Sequence, residues 1–79
     1  MLYVVWVDSG PIVVTAELTN AINAANAAVG RSFVSKIQLG KIADSFASVI
    51  FWRKPDKSEY VSHWTDEESR LSYERHKRP

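Results

Sequence analysis

The sequence predicts an α+β domain: an antiparallel sheet of four or five strands, one amphipathic helix packed on one face, and a loose C-terminal helix. Three observations predict it. Residues 18–29 space their apolar side chains as one helical stripe. Short β-branched and aromatic runs surround this stripe, separated by turn residues. The chain has 79 residues, enough for one domain. The predicted order is β-β-α-β-β-β followed by the terminal helix.

The first two predicted strands form a hairpin. Residues 2–7, LYVVWV, are β-branched or aromatic except for the leucine, which favours a strand. Both of its alternating sets are apolar, so we expect a central strand with both faces at least partly covered. Residues 8–11, DSGP, have the composition of a turn. Residues 12–15 then return the chain.

The helix predicted over residues 18–29 has Thr19 as its expected N-cap and Gly30 at its expected left-handed end. The opposite helix face holds asparagine and alanine without any charge. This neutral face is either packed against something or merely alanine-rich. The predicted buried stripe consists of Leu18, Ala21, Ile22, Ala25, Ala28 and Val29.

Three further strands are predicted after the helix, at residues 33–39, 46–54 and 59–64, with a connection at 40–45 and a turn at 55–58. In the first of them we expect the apolar side chains to face the core and the polar ones to be exposed. The expected core residues are Phe33, Ile37 and Leu39, and the expected exposed ones are Lys36 and Gln38.

The last two strands form a hairpin in which we expect Lys54 opposite Glu59 and Arg53 beside Tyr60. One helix covers only one sheet face, so one face of this hairpin should display its side chains. The two alternatives are the set Trp52, Ile50 and His63 and the set Phe51, Tyr60 and Trp64.

Residues 65–79 predict a charged helix and tail outside the domain formed by residues 1–64. Thr65 and Glu68 have the spacing of a capping box. Acidic residues in the first turn and basic residues at the end suit the helix dipole. Leu71 and Tyr73, the two large apolar residues, lie about 200° apart around the helix axis. We therefore expect the helix to dock loosely.

The composition argues against most chemistry. The absence of cysteine excludes disulfides, thiolate metal sites and a cysteine nucleophile. Two histidines without an acidic cluster make a metal site unexpected, and no glycine-rich phosphate loop is present. We expect no enzyme activity and no cofactor. A net charge of +1 implies no strong electrostatic partner, no apolar run would span a bilayer, and no secretory signal is visible. We expect a cytoplasmic protein.

The candidate binding residues lie on the last hairpin and on the strand that we expect beside it. Interface energy concentrates in a few Trp, Tyr and Arg side chains. Arg53 is expected to lie over the Tyr60 ring, leaving its guanidinium for a partner carboxylate or phosphate. The alternatives are that these aromatics stack nucleobases or pack inside the protein. The candidates are Lys36, Gln38, Trp52, Arg53, Lys54, Tyr60 and Trp64.

One family resemblance rests on the order and spacing of these segments. A strand at 13–15 runs through a threonine-bearing loop into an alanine-rich helix, and an alternating strand at 34–37 precedes a tryptophan-bearing hairpin from 49–53 to 60–61. Over residues 2–64 this pattern resembles the short α+β anti-CRISPR proteins of phages, which inhibit type I CRISPR surveillance complexes. The connection at 40–45 and the charged terminal helix depart from it.

The resemblance implies a non-enzymatic inhibitor that occupies a surface which the surveillance complex uses for target DNA. Its partners would be Cas subunits in the cytoplasm of a bacterial host, and it would act as a monomer or a weak homodimer. A small nucleic-acid-binding or regulatory module, using the aromatic and basic hairpin 49–64, is the alternative function.

Overall fold

A computed structural model describes residues 1–41 and 44–77 of the chain. Within these residues it forms one five-stranded sheet and two helices, so the predicted α+β class is confirmed. Every pair of neighbouring strands is antiparallel, in the order β2-β1-β3-β4-β5. The elements are β1 (Leu2–Val7), β2 (Gly10–Thr15), α1 (Leu18–Ala27), β3 (Ser32–Lys41), β4 (Asp44–Asp56), β5 (Glu59–Trp64) and α2 (Glu67–His76).

Both helices lie on the same side of the sheet, which we call the covered face; the opposite side is the open face. The helix α1 buries Ile22 against Val5, Val34 and Phe51, and α2 reaches the same side through Tyr73. Alanines on α1 allow a close approach to the strands, because a methyl group adds little to the separation. The fully buried cluster is Val5, Leu18, Ala21, Ile22, Ala25, Val34, Ile50 and Phe51.

A β-bulge in β4 places two consecutive side chains in this core. Val34 pairs with Phe51 and Ser35 with Val49, so Ile50 is the extra residue between them. Ile50 and Phe51 are 1% and 2% exposed, although simple alternation would put them on opposite faces. The bulge therefore lets β4 contribute both residues to the core, and neither of the two hairpin sets predicted from alternation is correct as a whole.

The helix α1 begins at Leu18 as predicted and ends two residues earlier than predicted, at Ala27. Its N-cap is Glu17 and not Thr19, and the Glu17 amide donates to the Thr15 hydroxyl at 3.0 Å. At the other end Ala28 is already extended, with ψ of 148°, so Val29 leaves the predicted stripe and is 93% exposed. Gly30 has the predicted positive φ, at 87°, but it lies beyond the helix end.

The strands β3 and β4 are longer than predicted. They include most of residues 40–45, which were expected to form a connection, while residues 42 and 43 lie outside the described part. The hairpin between β4 and β5 turns through Lys57 and Ser58 alone, with Asp56 opposite Glu59. Lys57 adopts the left-handed conformation that such a tight turn requires, with φ of 59°.

This tight turn makes the predicted pairing of the last hairpin wrong. Lys54 pairs with Val61 and Arg53 with Ser62, a shift of two residues from the expected partners. The reason is that strand structure continues through Pro55 and Asp56, which the composition assigned to the turn. An even shift keeps every side chain on its expected face, so Arg53 and Tyr60 still share one.

The terminal helix is joined to the sheet at its beginning. The helix has Asp66 as its N-cap, and the Thr65 hydroxyl donates to the Val49 carbonyl oxygen at 2.7 Å. The predicted capping box is therefore wrong, because the threonine bonds to the strand instead of to its own helix. Tyr73 packs on Trp64 with ring centroids 5.6 Å apart, whereas Leu71 is 43% exposed.

Candidate binding surface

An aromatic row crosses the open face. We use this name for Trp6, Phe33, Trp52 and His63, which are successive cross-strand partners on β1, β3, β4 and β5. Each side chain points to the open face because its neighbours in sequence serve the covered face, as Val5 and Val34 do beside Trp6 and Phe33. Antiparallel pairing then aligns the four rings across the sheet.

The rings of the row pack on one another and remain accessible. Trp6 and Phe33 stack at 6.0 Å with an interplanar angle of 11°, and Trp52 and His63 lie 5.1 Å apart. Phe33 is 37% exposed, Trp6 and Trp52 are half-buried, and His63 is exposed. Neither described helix lies over this row, so its outer surface is free to contact another molecule.

Aliphatic side chains extend the apolar surface beside the aromatic row. Val14 on β2 and Val49 on β4 are 62% and 45% exposed. Val4 lies between them in the sheet, paired with Val14 and with Ser35, which in turn pairs with Val49. Val4 and Ser35 are each only 5% exposed, so Val14 and Val49 are two separate exposed apolar side chains on the open face.

A cleft lies beside the middle of the aromatic row, toward the Ser32–Arg53 pair, and has a volume of about 340 Å³. Phe33 and Trp52 are among its lining residues, as are the charged residues Asp8, Arg31, Arg53 and Lys54. The Lys54 ammonium lies 5.6 Å from the centroid of the Trp52 ring, a cation–π contact. The cleft therefore combines aromatic surface with positive charge.

Arg31 is held in this cleft by an exposed ion pair. Its Nε and Nη2 lie 3.2 and 3.1 Å from the same carboxylate oxygen of Asp8. The two side chains are 68% and 70% exposed, and exposed pairs of this kind contribute only about 0–1 kcal/mol. The pair can therefore open at little cost to stability.

Arg53, a predicted binding residue, lies on the covered face and bonds to its own chain. Its guanidinium lies over the Tyr60 ring at 3.5 Å from the centroid, as predicted. Its Nη1 also donates to the carbonyl oxygens of Ala28 at 3.0 Å and Ala25 at 3.4 Å. The carbonyls at the end of α1 therefore already engage one nitrogen of the guanidinium that was expected to bind a partner.

Lys36 also lies on the covered face, contrary to the predicted facing of β3. Phe33 is on the open face and Val34 is buried, the reverse of the expected order, because α1 packs on the Val34 side. The Lys36 ammonium is 3.0 Å from the Asp66 carboxylate. The Ser69 hydroxyl and then this ammonium donate to Asp66 and hold the pKa of its carboxyl below the usual 3.8, against a smaller opposing effect of burial.

The remaining predicted residues are divided between the two faces. Trp52 and Lys54 lie on the open face, at the cleft. Trp64 packs between Phe51 and Tyr73 on the covered face. Tyr60 is on that face too, 42% exposed, and its hydroxyl accepts from the Gly30 amide at 3.2 Å. Gln38 lies in β3, and its side chain is outside the described part.

The structure thus brings together residues that the sequence reasoning did not select. Trp6 and Phe33 join Trp52 in the aromatic row, and Arg31 joins Lys54 in the cleft. The sequence did contain a signal for Trp6. The strand at residues 2–7 is apolar on both faces, and a single helix covers only one face of a sheet. Strand order was the missing information, because β3 separates β1 from β4 and links their rings.

Other kinds of site find little support in the described part of the chain. No group of three His, Asp or Glu side chains there could hold a metal ion. Neither of the ten-residue helices described has the length and apolarity needed to cross a membrane. A second cavity, of about 450 Å³, lies between the start of α1 and the end of α2 and is lined in part by Tyr3, Tyr73 and His76.

Comparison of the chain with models of protein families, with curated proteins and with solved structures finds no match.

Proposed function

We propose that this chain is a non-enzymatic inhibitor that binds a protein partner through the open face of its sheet. The aromatic row supports the proposal: Trp6, Phe33 and Trp52 lie on a face that neither described helix covers. Aromatic side chains concentrate the energy of protein interfaces. On a chain of this size, an exposed patch built on three aromatic rings is typical of a surface that a partner covers.

The neighbours of the row favour a protein over a nucleic acid. Val14 and Val49 extend an uncharged surface that matches the apolar centre of a protein interface. Nucleic-acid binding draws most of its affinity from cations that neutralise phosphates, and the chain carries a net charge of only +1. The charged candidates Lys36 and Arg53 are engaged on the covered face.

Within this proposal, the partner we favour is a Cas subunit of a type I CRISPR surveillance complex, in the cytoplasm of a bacterial host. This step rests on the resemblance of residues 2–64 to phage anti-CRISPR proteins. The inhibitor would occupy the surface that the complex uses for target DNA, as a monomer or a weak homodimer, and would need no cofactor.

Purified type I complex, labelled target DNA and increasing amounts of the chain test this function in a gel shift. We expect the DNA–complex band to disappear, and the chain to co-purify with Cas subunits after nuclease treatment. If the chain leaves DNA binding unchanged for every type I complex tested, the anti-CRISPR function is wrong.

Binding of single-stranded nucleic acid is the second candidate function, favoured by the Lys54 ammonium beside the Trp52 ring. Rings on a sheet face can stack bases, with a cation nearby for phosphate. The chain alone, titrated with oligonucleotide at two salt concentrations, distinguishes the two functions. Tight binding that falls steeply with salt would favour nucleic acid, whereas negligible retention at physiological salt is expected for a protein-binding inhibitor.

A further inference from the structure

We propose that the cleft beside the middle of the aromatic row receives an acidic side chain, Asp or Glu, of the protein partner. This inference deepens the proposed function and rests on it. It assigns to the open face a specificity-determining site, in which Lys54 and Arg31 bind the carboxylate while Phe33 and Trp52 contact the carbon atoms next to it.

The position of the two cations follows from the strand register. Ser32 pairs with Arg53 and Phe33 with Trp52, so Arg31 and Lys54 are the next residues in line beyond the Ser32–Arg53 pair. All three of Arg31, Arg53 and Lys54 line the cleft, but the Arg53 guanidinium donates to the end of α1. Two cations thus flank an aromatic surface at one end of the open face.

The charges in the cleft do not balance, and this favours an anionic occupant. Arg31, Arg53 and Lys54 carry three positive charges along its lining, and Asp8 carries one negative charge. The Arg53 guanidinium already donates to the Ala28 carbonyl oxygen, which leaves Arg31 and Lys54 for an occupant. Asp8 bonds Arg31 through a single carboxylate oxygen, and both side chains are mostly exposed. Lys54 forms no ion pair with any side chain in the described residues. A partner carboxylate can therefore bind Lys54 directly and compete with Asp8 for Arg31.

A carboxylate suits this site better than a nucleic-acid phosphate. Phosphates recur along a strand and require a series of cations, whereas the surface that continues from the cleft is the aromatic row, followed by valines. One anionic contact at the edge of an apolar patch is the arrangement of a protein interface, with its polar rim around a dry centre.

Two variants with opposite expected effects test the site on the intact chain. Lys54→Glu removes the unpaired cation, so we expect it to weaken binding of the partner at least tenfold. Asp8→Asn removes the internal competitor for Arg31, so we expect it to strengthen binding severalfold. The controls are Lys57→Glu in the β4–β5 turn and Glu74→Gln on α2, which make the same changes of charge away from the cleft. Melting curves confirm that each variant is folded.

A probe makes the test independent of the partner. An end-blocked hexaglutamate peptide, titrated against the isotope-labelled chain, should shift the NMR signal of the Trp52 indole N–H. Lys54→Glu should remove this shift, and hexalysine should produce none. A short oligothymidylate that binds the cleft more tightly than the peptide would overturn the inference in favour of a phosphate site.

The results separate this inference from the proposed function. If the partner binds but Lys54→Glu and Lys57→Glu behave alike, the acidic-residue site is wrong and the inhibitor function stands. If hexaglutamate binds in the predicted manner but no type I complex is inhibited, the site stands as a carboxylate site and the proposed inhibitor function is wrong. If hexaglutamate gives no shift at Trp52, the site is overturned.

Discussion

Arg53 should be one of the main determinants of stability, because it links the last hairpin to the end of α1. Its Nη1 donates to the Ala28 carbonyl oxygen at 3.0 Å, and its guanidinium lies 3.5 Å from the centroid of Tyr60. The perturbation of choice is Arg53→Met, which keeps most of the aliphatic stem and removes the guanidinium.

The expected loss can be worked out from these contacts. A hydrogen bond from a charged group contributes about 1.5–3 kcal/mol, and a cation at a helix C-terminus about 0.3–1 kcal/mol. The cation–π contact with Tyr60 adds about 0.5–2 kcal/mol. These contributions overlap, and the Ala25 carbonyl keeps its bond from the Ser32 hydroxyl at 2.8 Å. We therefore expect a loss of about 2–4 kcal/mol, a large share of the stability of a small domain.

Urea denaturation of the wild type and of Arg53→Met measures this loss, with Lys57→Met as the matched control. Lys57 loses the same charge at an exposed turn, and its replacement should change stability by less than about 0.5 kcal/mol. Tyr60→Phe, which removes the hydroxyl that accepts from Gly30 and keeps the ring, should cost about 1 kcal/mol. Equal stabilities for Arg53→Met and Lys57→Met would refute the reasoning, since the guanidinium would then be no better placed than a solvated cation.

Three further predictions concern the core and the terminal helix. Ile22→Ala should lower the free energy of unfolding by about 2–4 kcal/mol, because Ile22 is 1% exposed. A change at the exposed Asn23 should leave folding intact. A loss below about 0.5 kcal/mol for Ile22→Ala would contradict the packing of α1 on the sheet. Because the pKa of the Asp66 carboxyl is lowered in the folded chain, the wild type should be more stable to unfolding than Asp66→Asn. This difference in unfolding free energy should be full above pH 3.8 and disappear as the pH falls through the pKa of Asp66 in the folded chain. A difference that stays constant in acid denaturation would contradict this prediction. A chain of residues 1–64 should remain folded but be less stable, because Trp64 no longer packs against Tyr73. If this shorter chain lost its near-UV circular dichroism signal, α2 would be part of the folded domain.

Much of the fold could be predicted from the sequence, because local patterns of apolar residues determine most of its helices and strands. The β-branched run of β1 and the stripe Leu18, Ala21, Ile22 and Ala25 correspond to observed elements and to the buried core. Helix and strand ends were predicted less well, because long-range contacts determine them. The end of α1 is one case: the carbonyls of its last turn bond to Ser32 and Arg53, residues distant in sequence.

The candidate site was harder to predict than the fold. Alternation correctly separates Trp52 from Arg53, but it does not say which of them faces the helices. The bulge at Ile50 breaks alternation within β4, and the pairing of β3 between β1 and β4 is a property of the whole sheet. The pairing of β3 aligns the aromatic row and the bulge places Val49 on the same face, and no local window of the sequence contains either feature.

A matched pair of variants tests most directly whether the open face is the binding surface. Val49 on the open face and Leu71 on α2 are 45% and 43% exposed, so Val49→Glu and Leu71→Glu place the same charge at equally exposed apolar positions. The measurement is inhibition of target-DNA binding by the type I complex, with melting curves to confirm folding. We predict that Leu71→Glu inhibits like the wild type and that Val49→Glu is at least tenfold weaker, about 1.4 kcal/mol. Full inhibition by a folded Val49→Glu variant would show that the open face is not the binding surface.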